Sequence, residues 1–401
     1  MGFSLNQDQS FIVNKAIDWY YNSSEQIFQY SGNAGTGKSV VLNEIINRLQ
    51  IDQADIAPMS YIGAAAIVMR LKGLHNAKTI HSWLYEPVEV FDRDANGKII
   101  MDHYLNRPKK HSTFKPKPLP SNIKLIVIDE AAAVPMNIAN EINSRKIKII
   151  ACGDLDQLPP VIGDSGYLVN GKIYILHKIM RQAEGSAIIQ LAQRAKLGLP
   201  IHKGVYRNVL VISRDEVTDD MLKFIPGRMV ICGRNATREL LTSRMRNSIL
   251  HINSTLPGIN EPVICRKNNW SIESNGIGLA NGLIGTVMNS PDPSEFDGKT
   301  FMIDFLPYNI DSLFRELRLD YQYFIASFAR KNLLKNDRYS VGEKFDFAYC
   351  ITTHISQGSQ YYDGMYFEEF LNRDINKNLN YTGITRFSNS MIYVKPEKKY
   401  W

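Results

Sequence analysis

The 401-residue chain has little cysteine and no long uncharged apolar run. Its cysteines are scattered, at Cys152, Cys232, Cys265 and Cys350, and no two of them have the spacing of a zinc site or a redox motif. We therefore expect buried thiols in a reducing compartment. A bilayer span needs roughly 20 consecutive apolar residues, and residues 1–7 lack a basic segment followed by an apolar one. We therefore expect a cytoplasmic protein with no membrane span or secretory leader.

What the sequence does have is an excess of positive charge, with 47 Lys and Arg against 40 Asp and Glu. The resulting net charge of +7 favours a polyanionic partner such as nucleic acid, although charge alone does not identify one. The hydrophobic share of 44% and the charged share of 22% are typical of a folded globular protein. The length predicts two or three domains.

Residues 32–39 read Gly-Asn-Ala-Gly-Thr-Gly-Lys-Ser and fit the phosphate-binding pattern G-x-x-x-x-G-K-[ST]. Glycines let successive N–H groups point at phosphate oxygens, Lys38 reaches the outer phosphates, and Ser39 binds Mg²⁺. A β-prone run at 26–30 precedes the loop and a helical period at 40–49 follows it, which argues against a chance glycine-rich turn. The predicted ATP contacts are Asn33, Ala34, Gly35, Thr36, Gly37, Lys38 and Ser39.

Short apolar strands alternate with helical segments along most of the chain, as in parallel α/β folds. The predicted strands are residues 26–31, 55–59, 124–129, 147–152, 229–232, 347–351 and 391–394, and the predicted helices are 185–197 and 236–250. Two stretches break this alternation. Residues 85–120 contain a hairpin-turn sequence at 94–97, and residues 286–345 resemble short strands and turns, with a charged helical piece near 311–318.

Carboxylates and a glutamine follow two of these strands. Asp129 and Glu130 end the strand 124–129, and residues at the carboxyl ends of parallel strands line the ligand crevice. Asp129 is therefore predicted to hold Mg²⁺, and Glu130 to polarise the attacking water. Gln157 follows the next strand, within the stretch Gly153–Val161, where a carboxamide beside the γ-phosphate senses hydrolysis.

Several segments, in this order, resemble the motifs of superfamily 1B DNA helicases, in particular the RecD-like/Dda-like branch. They are residues 5–9, 32–39, 79–82, 153–161, 180–182, 353–359 and 381–386. The resemblance extends from residue 5 to about residue 394. It departs from the family in the segment 353–359 and just after it, where Ile355 and Gln360 replace a basic and an acidic residue.

The resemblance implies roles for individual residues. Gln9 reads adenine, Gln157 senses the γ-phosphate, Arg181 and Gly358 contact the nucleotide, and Arg386 reaches the γ-phosphate from a second lobe. A guanidinium supplied in this way would neutralise developing charge only when the lobes close; a structural salt bridge is the alternative for Arg386. The implied or predicted DNA contacts are Ser60, Thr79, His81, Phe91, Pro160, Thr353 and His354, with Phe91 as a stacking platform.

The resemblance also implies an α/β fold with two RecA-like P-loop NTPase lobes built on parallel sheets, plus a β-hairpin insertion and a small β-barrel insertion. The first lobe comprises residues 1–84 and 121–200, and the second 201–285 and 346–401. The hairpin, a duplex-splitting pin or else a solvated basic loop, is 85–120, and the barrel is 286–345. Within the barrel segment, the predicted strand-facing basic residues are Arg315, Arg318, Arg330, Lys331 and Lys335.

The expected function is that of an ATP-dependent DNA helicase that uses ATP and Mg²⁺, translocates on single-stranded DNA and unwinds duplexes. The resemblance implies 5′-to-3′ movement. Single-stranded and forked DNA, together with replication or repair proteins, are the expected partners of a functional monomer in a bacterial or phage-infected cytoplasm. Two alternatives stay open: an RNA helicase or remodeller of the same superfamily, and a P-loop ATPase switch that is not a motor.

Overall fold

The computed structural model describes most of the chain, and the structural statements below concern that part. The described residues are 5–102, 107–108, 110–179, 186–292, 296–308, 310–327, 330–331, 334, 342–372 and 374–396. Arg181 and Lys335 lie outside the described residues. The described residues form two compact units, one of residues 1–79, 122–253 and 348–401 and the other of 80–121 and 254–347.

The first compact unit contains a six-stranded sheet in which every neighbouring pair is parallel. In sheet order its strands are Ile173–Leu176, Ile27–Gly32, Lys148–Gly153, Leu125–Asp129, Ile56–Ser60 and Lys78–Thr79. The four strands predicted in this region are confirmed to within one residue at each end. Leu125–Asp129 is almost continuously aliphatic because it is buried on both faces.

Helices that surround this sheet complete the first RecA-like lobe. They are Gln7–Asn22, Lys38–Leu49, Gly63–Leu71, Met136–Asn143 and Ala187–Leu197, with short 3₁₀ turns at Gln53–Asp55 and Ala131–Ala133. The helical period after the phosphate loop is borne out: Val41, Leu42, Ile45, Ile46 and Leu49 are all buried in the core. That buried face fixes the start of the helix against the sheet, and so fixes the loop before it.

A second six-stranded sheet, also in the first compact unit, forms the second RecA-like lobe. Its strands, in order, are Gly204–Tyr206, Val209–Ser213, Phe387–Lys395, Tyr361–Phe367, Arg228–Cys232 and Cys350–Thr352. Only the first of these is antiparallel to its neighbour. Helices of this lobe are Asp219–Leu222, Asn235–Ser243 and Asn376–Ile384, with a 3₁₀ turn at Arg214–Glu216. The predicted helix 236–250 continues past Ser243 as a π-helix, Arg244–Ile249.

The predicted strand 347–351 is wrong as a single element. The structure has Phe345–Phe347 and Cys350–Thr352 instead, and the two belong to different sheets. Phe345–Phe347 pairs with Pro262–Cys265, whereas Cys350–Thr352 pairs with Arg228–Cys232. A continuous apolar run cannot show where the chain leaves one sheet for the next, because both halves need the same kind of residue.

The second compact unit contains a five-stranded antiparallel sheet, in the order Phe314–Asp320, Thr300–Pro307, Ile284–Val287, Pro262–Cys265 and Phe345–Phe347. The pair Asn269–Ser274 and Ile277–Leu279 and the helix Tyr321–Ile325 accompany it. The predicted helical piece near 311–318 is wrong. Leu317 and Leu319 are buried on either side of the exposed Arg318, an alternation that suits a strand. A register shift between the pairs of Leu317 and Phe314, at Glu316 with φ +50°, lets Phe314 be buried as well.

One predicted DNA-facing lysine of this unit has a structural role. Lys331 is buried, and its Nζ lies 2.8 Å from Asp346 Oδ1. A buried ammonium needs such a partner, so this side chain is not available to a nucleic-acid strand. Arg330 is exposed, as are Arg315 and Arg318, and their contact with a strand stays a prediction.

A hairpin in the second unit follows the helix Ile80–Leu84. Tyr85–Phe91 pairs antiparallel with Lys110–Pro116 over its whole length, and a smaller pair joins Met101–Asp102 to Arg107–Pro108. The predicted turn at 94–97 is present, with Gly97 at φ +80°. It lies inside the longer hairpin and does not join its two main strands. The function of the hairpin as a pin and the barrel character of the five-stranded sheet stay predictions.

Candidate nucleotide site

Glycine is required at three positions of the phosphate loop, residues 32–39. Gly35 and Gly37 have φ values of +85° and +86°, a conformation that side-chain-bearing residues rarely adopt. A Cβ on Gly32 would lie 2.4 Å from Thr36 Oγ1. The strand Ile27–Gly32 and the helix starting at Lys38 hold the two ends of this turn. The loop therefore presents its N–H groups at a helix N-terminus, as anion binding requires.

Two side chains close over the inner surface of the phosphate loop. Lys38 Nζ donates to Gly32 O at 2.8 Å, which holds the ammonium above the cradle. The buried Gln9 donates from Nε2 to Thr36 O at 3.1 Å and accepts from Asn6 N at 3.1 Å. Gln9 thus braces the loop and caps the first helix at the same time, and its contact with adenine stays a prediction.

Asp129 and Glu130 lie at the carboxyl end of their strand, beside the loop. Asp129 Oδ1 accepts the Glu130 N–H at 2.9 Å, and Glu130 has φ +54°. Burial, followed by the charge of Asp129, raises the pKa of Glu130, while the charges of Lys38 and Arg386 oppose that rise. The charges of Asp129, Lys38 and Arg386 therefore all act on Glu130. A carboxylate with a raised pKa is suited to accept a proton from water.

The oxygen atoms of Ser39 and Asp129 are the donor type that Mg²⁺ prefers, and such sites use few protein ligands with water and phosphate oxygens. Ser39 Oγ accepts a hydrogen bond from Lys72 Nζ at 2.9 Å, so a cationic group already lies on this oxygen. In the described part of the chain, no group of three or more His, Cys, Asp or Glu could hold a metal. The residues present fit a Mg²⁺ that arrives with the nucleotide.

The loop after the strand Lys148–Gly153 is tied to the second lobe by several hydrogen bonds. Leu158 N donates to Thr382 Oγ1 at 3.0 Å, and Leu158 O accepts from Gln357 Nε2 at 3.2 Å. Asn378 Nδ2 donates to Asp156 O at 3.0 Å. Gln157 lies between these anchors and is buried, and its Oε1 has no hydrogen-bond partner among the described residues. A buried carbonyl oxygen of this kind is ordinarily paired with a hydrogen-bond donor.

Arg386 is buried at the end of the second-lobe helix Asn376–Ile384. Its Nε donates to Thr382 O at 3.0 Å and its Nη1 to Ser359 O at 3.2 Å. Within the described ranges, no carboxylate lies within ion-pair distance of it, so the salt-bridge alternative finds no partner there. The guanidinium is held by neutral carbonyls while its charge acts on Glu130, which leaves the charge available for an anionic ligand.

Sequence reasoning missed three groups at this site. Tyr381 OH donates to Asp154 Oδ2 at 2.8 Å and accepts from Ala34 N at 3.2 Å. Lys72 contacts Ser39. Tyr381 and Asp154 both lie inside segments that carry the helicase resemblance, but only the fold shows that they meet. Lys72 follows the helix Gly63–Leu71, and no sequence pattern indicates its contact.

The remaining predicted nucleotide contact in the described chain is Gly358. Its φ is +74°, and a Cβ there would lie 2.8 Å from Ala65 Cβ. Gly358 therefore packs its backbone against the helix Gly63–Leu71 of the first lobe. Its contact with ATP stays a prediction.

Four of the five predicted DNA contacts of the first unit lie at or just after strand ends, and Pro160 lies in the loop after Lys148–Gly153. Their exposure differs. Ser60 and Thr353 are fully buried, and the Thr353 hydroxyl donates to Cys232 O at 3.1 Å. Thr79 is also buried, and burial lowers the pKa of His354. Pro160 is partly exposed and precedes the strongly exposed pair Val161 and Ile162.

The other two predicted DNA contacts belong to the second unit. His81 is exposed and stacks on Tyr85, with ring centroids 5.9 Å apart. Phe91, near the far end of the hairpin strand, is 46% exposed, and an exposed ring is available for base stacking. The structure thus divides the seven predicted residues between two units.

Comparison with known proteins extends the geometric picture. A family described as AAA domain matches residues 4–207. The chain is 24% identical to the ATP-dependent DNA helicase Pif1 of Campylobacter jejuni over 84% of the chain and 83% of that protein. It is 27% identical to PIF1 of Saccharomyces cerevisiae over 48% of the chain. The first curated relatives are longer than this chain, which covers about a third or less of their length.

The fold is shared with solved Pif1 structures. A Bacteroides Pif1 in complex with ADP-AlF3 and single-stranded DNA aligns over 98% of this chain and 92% of its own, with a TM-score of 0.57 and 16% identity. No described helix is long and apolar enough to cross a membrane. The narrower Dda-like resemblance stays a prediction. The chain is similar to Pif1 helicases in sequence and in fold, and it belongs to the AAA domain family.

Proposed function

We propose that the chain is an ATP-dependent DNA helicase that translocates 5′ to 3′ on single-stranded DNA and unwinds duplexes. It acts as a monomer on single-stranded and forked DNA, with replication or repair proteins, in a bacterial or phage-infected cytoplasm. The observation that carries the proposal is Arg386, whose buried guanidinium has no carboxylate partner in the described chain and acts electrostatically on Glu130 of the other lobe.

Each group at the site has a role in hydrolysis under this proposal. The N–H groups of residues 32–39 and Lys38 hold the phosphates of ATP, and Ser39 and Asp129 would hold a Mg²⁺ ion that would neutralise part of the phosphate charge. Glu130 accepts a proton from the attacking water, which its raised pKa favours. Arg386 stabilises the charge that develops on the transferred phosphoryl group.

Movement follows from the bonds between the lobes. Leu158, one residue after Gln157, is bonded to Thr382 and Gln357 of the second lobe. A change at the γ-phosphate that shifts Gln157 is therefore passed directly to the second lobe. Alternate grip by the two lobes would then move the protein along one strand.

The nucleic-acid partner is inferred from the named relatives and from charge. The Campylobacter and yeast relatives are named ATP-dependent DNA helicases, and the Bacteroides neighbour was solved with single-stranded DNA. A net charge of +7 suits a polyanion. The exposed His81 and Phe91 are proposed strand contacts, and the hairpin is the proposed pin.

ATPase and unwinding assays on the purified chain test this function. ATP turnover should rise strongly with single-stranded DNA, and a 5′-tailed duplex should be unwound in preference to a 3′-tailed one. Stimulation by RNA alone would favour the RNA remodeller. Turnover without stimulation by any strand would favour the switch that is not a motor, and preferential unwinding of 3′-tailed duplex would overturn the polarity.

A further inference from the structure

One side chain of the second lobe enters the phosphate loop of the first. Tyr381 lies on the helix Asn376–Ile384, and its ring is 1% exposed. Its hydroxyl is 3.2 Å from Ala34 N and 2.8 Å from Asp154 Oδ2. Ala34 and Tyr381 are 347 positions apart in the chain. The phenol therefore joins the loop, the strand end and the second lobe at a single atom.

The direction of the two hydrogen bonds is fixed by chemistry. A phenol has one proton to donate, and the carboxylate of Asp154 can only accept, so Tyr381 donates to Asp154. The oxygen then accepts the N–H of Ala34. Burial, followed by the charge of Asp154, raises the pKa of Tyr381, so the hydroxyl keeps its proton throughout the neutral range.

The Ala34 N–H belongs to the set that a phosphate would use. It lies in the loop whose successive N–H groups form the anion cradle, and in this structure it is bonded to the phenol. An incoming phosphate oxygen and Tyr381 therefore compete for one donor. Because Tyr381 belongs to the second lobe, the outcome of that competition is a change in a contact between lobes.

Asp154 connects the same phenol to Gln157. The carboxylate of Asp154 is fully buried and also accepts the Asp156 N–H at 3.1 Å, and Asp154 O accepts the Gln157 N–H at 3.3 Å. The turn that carries Gln157 is thus built on Asp154. The donation from the phenol to Asp154 therefore supports this turn, and its loss would leave the buried charge short of a donor.

We propose that Tyr381 is a positioning residue whose hydroxyl occupies a phosphate-loop N–H when no nucleotide is bound and releases it when a triphosphate enters. Through its donation to Asp154, the same hydroxyl supports the turn that carries Gln157. The inference rests on the proposed function, since it assumes that the site binds ATP. It adds a group that competes with the triphosphate at the loop and supports hydrolysis through Asp154.

The test is Tyr381→Phe, which removes the hydroxyl and keeps the ring. Without its competitor, the Ala34 N–H is free, so the Kd for ATP measured without DNA should fall roughly two- to tenfold, the range of one hydrogen bond. The DNA-stimulated kcat should fall, because Asp154 loses its donor. A purely structural role predicts that affinity and kcat decline together or stay unchanged, and either result would overturn the proposal.

Tyr366→Phe is the matched control. Tyr366 is equally buried. Its hydroxyl donates at 2.8 Å to Oδ1 of Asn380, which lies on the same helix as Tyr381, and it does not reach the loop. In this control, a lower Kd for ATP should not accompany a lower kcat. If Tyr381→Phe unfolds, the double variant Asp154→Asn with Tyr381→Phe removes the unpaired charge and should keep the tighter binding.

The affinity measurement separates the two proposals. ATP binding needs no turnover, so tighter binding by Tyr381→Phe in a protein that DNA does not stimulate would support the inference and refute the helicase. If DNA stimulates the wild type and Tyr381→Phe binds ATP with unchanged affinity, the helicase is supported and the inference is refuted.

Discussion

The lobes built on the two six-stranded sheets contribute different chemistry to the same site. The first lobe supplies the loop N–H groups, Lys38 and the carboxylates Asp129 and Glu130, all at or directly after strand ends. The second lobe supplies a guanidinium and a phenol from the helix Asn376–Ile384 and the turn that follows it. The first set is suited to hold a triphosphate, and the second set responds to it. Under the proposed function, we therefore expect the affinity for ATP to depend mainly on the first lobe and hydrolysis to depend on both.

The largest effect is expected when the first lobe loses its ammonium. Lys38→Ala should abolish measurable ATP turnover, because Lys38 contributes to phosphate binding and to stabilisation of the transition state. Binding to single-stranded DNA should be largely retained. Steady-state ATPase assays and strand-binding titrations measure the two properties, with Lys15→Ala, an exposed lysine on the first helix, as control. Near-normal turnover by Lys38→Ala would show that the loop of residues 32–39 is not the nucleotide site.

The same division predicts a different result for the second lobe. Arg386→Ala should lower kcat roughly 10³-fold, in the range of supplied arginines, while the Kd for ATP stays close to that of the wild type. Single-turnover hydrolysis and nucleotide titration measure the two quantities. Arg238→Ala removes another buried arginine of that lobe and controls for folding. A large loss of ATP affinity in Arg386→Ala would show that the second lobe contributes to the affinity as well, and the difference between the lobes would be wrong.

The pH dependence of activity tests the role of Glu130 in the first lobe. The pKa of Glu130 in the folded protein lies above the ordinary value of a glutamate. Because the carboxylate must be ionised to accept a proton, activity should fall as the pH is lowered, and the fall should begin at a higher pH than an ordinary glutamate would cause. Glu130→Gln should bind ATP, lose roughly 10²-fold in kcat and lose this acid limb. A pH profile of kcat/KM for both proteins gives the answer. An unchanged limb in the variant would assign the titration to another group.

Local patterns predicted the site better than distant contacts. The phosphate loop, the strand ending in Asp129 and the turn with Gln157 each depend on residues close in sequence, and the structure has each of these local elements. The bonds from Gln9 to Thr36 and from Tyr381 to Ala34 join distant segments. No residue pattern encodes which distant hydroxyl or amide meets a given N–H.

The errors in the fold have a similar origin. The charged stretch that includes Arg315 and Arg318 resembles a helix when its charges are counted, yet Phe314, Leu317 and Leu319 face a core that only the sheet creates. Likewise, the apolar run 347–351 hides the passage between two sheets. Tertiary packing decides both cases, and composition cannot.

The smallest expected effect concerns Lys72, which belongs to the first lobe but is not part of its loop. Its ammonium lies 2.9 Å from Ser39 Oγ, so it competes with a metal ion for that oxygen. Lys72→Ala should lower the Mg²⁺ concentration at half-maximal ATPase activity about two- to fivefold, as expected for an exposed charge, and leave kcat nearly unchanged. Lys72→Gln keeps a donor without the charge and should give an intermediate shift. If Lys72→Ala instead raised the Mg²⁺ requirement, the ammonium would assist the metal site, and the first lobe would not bind the metal ion by Ser39 and Asp129 alone.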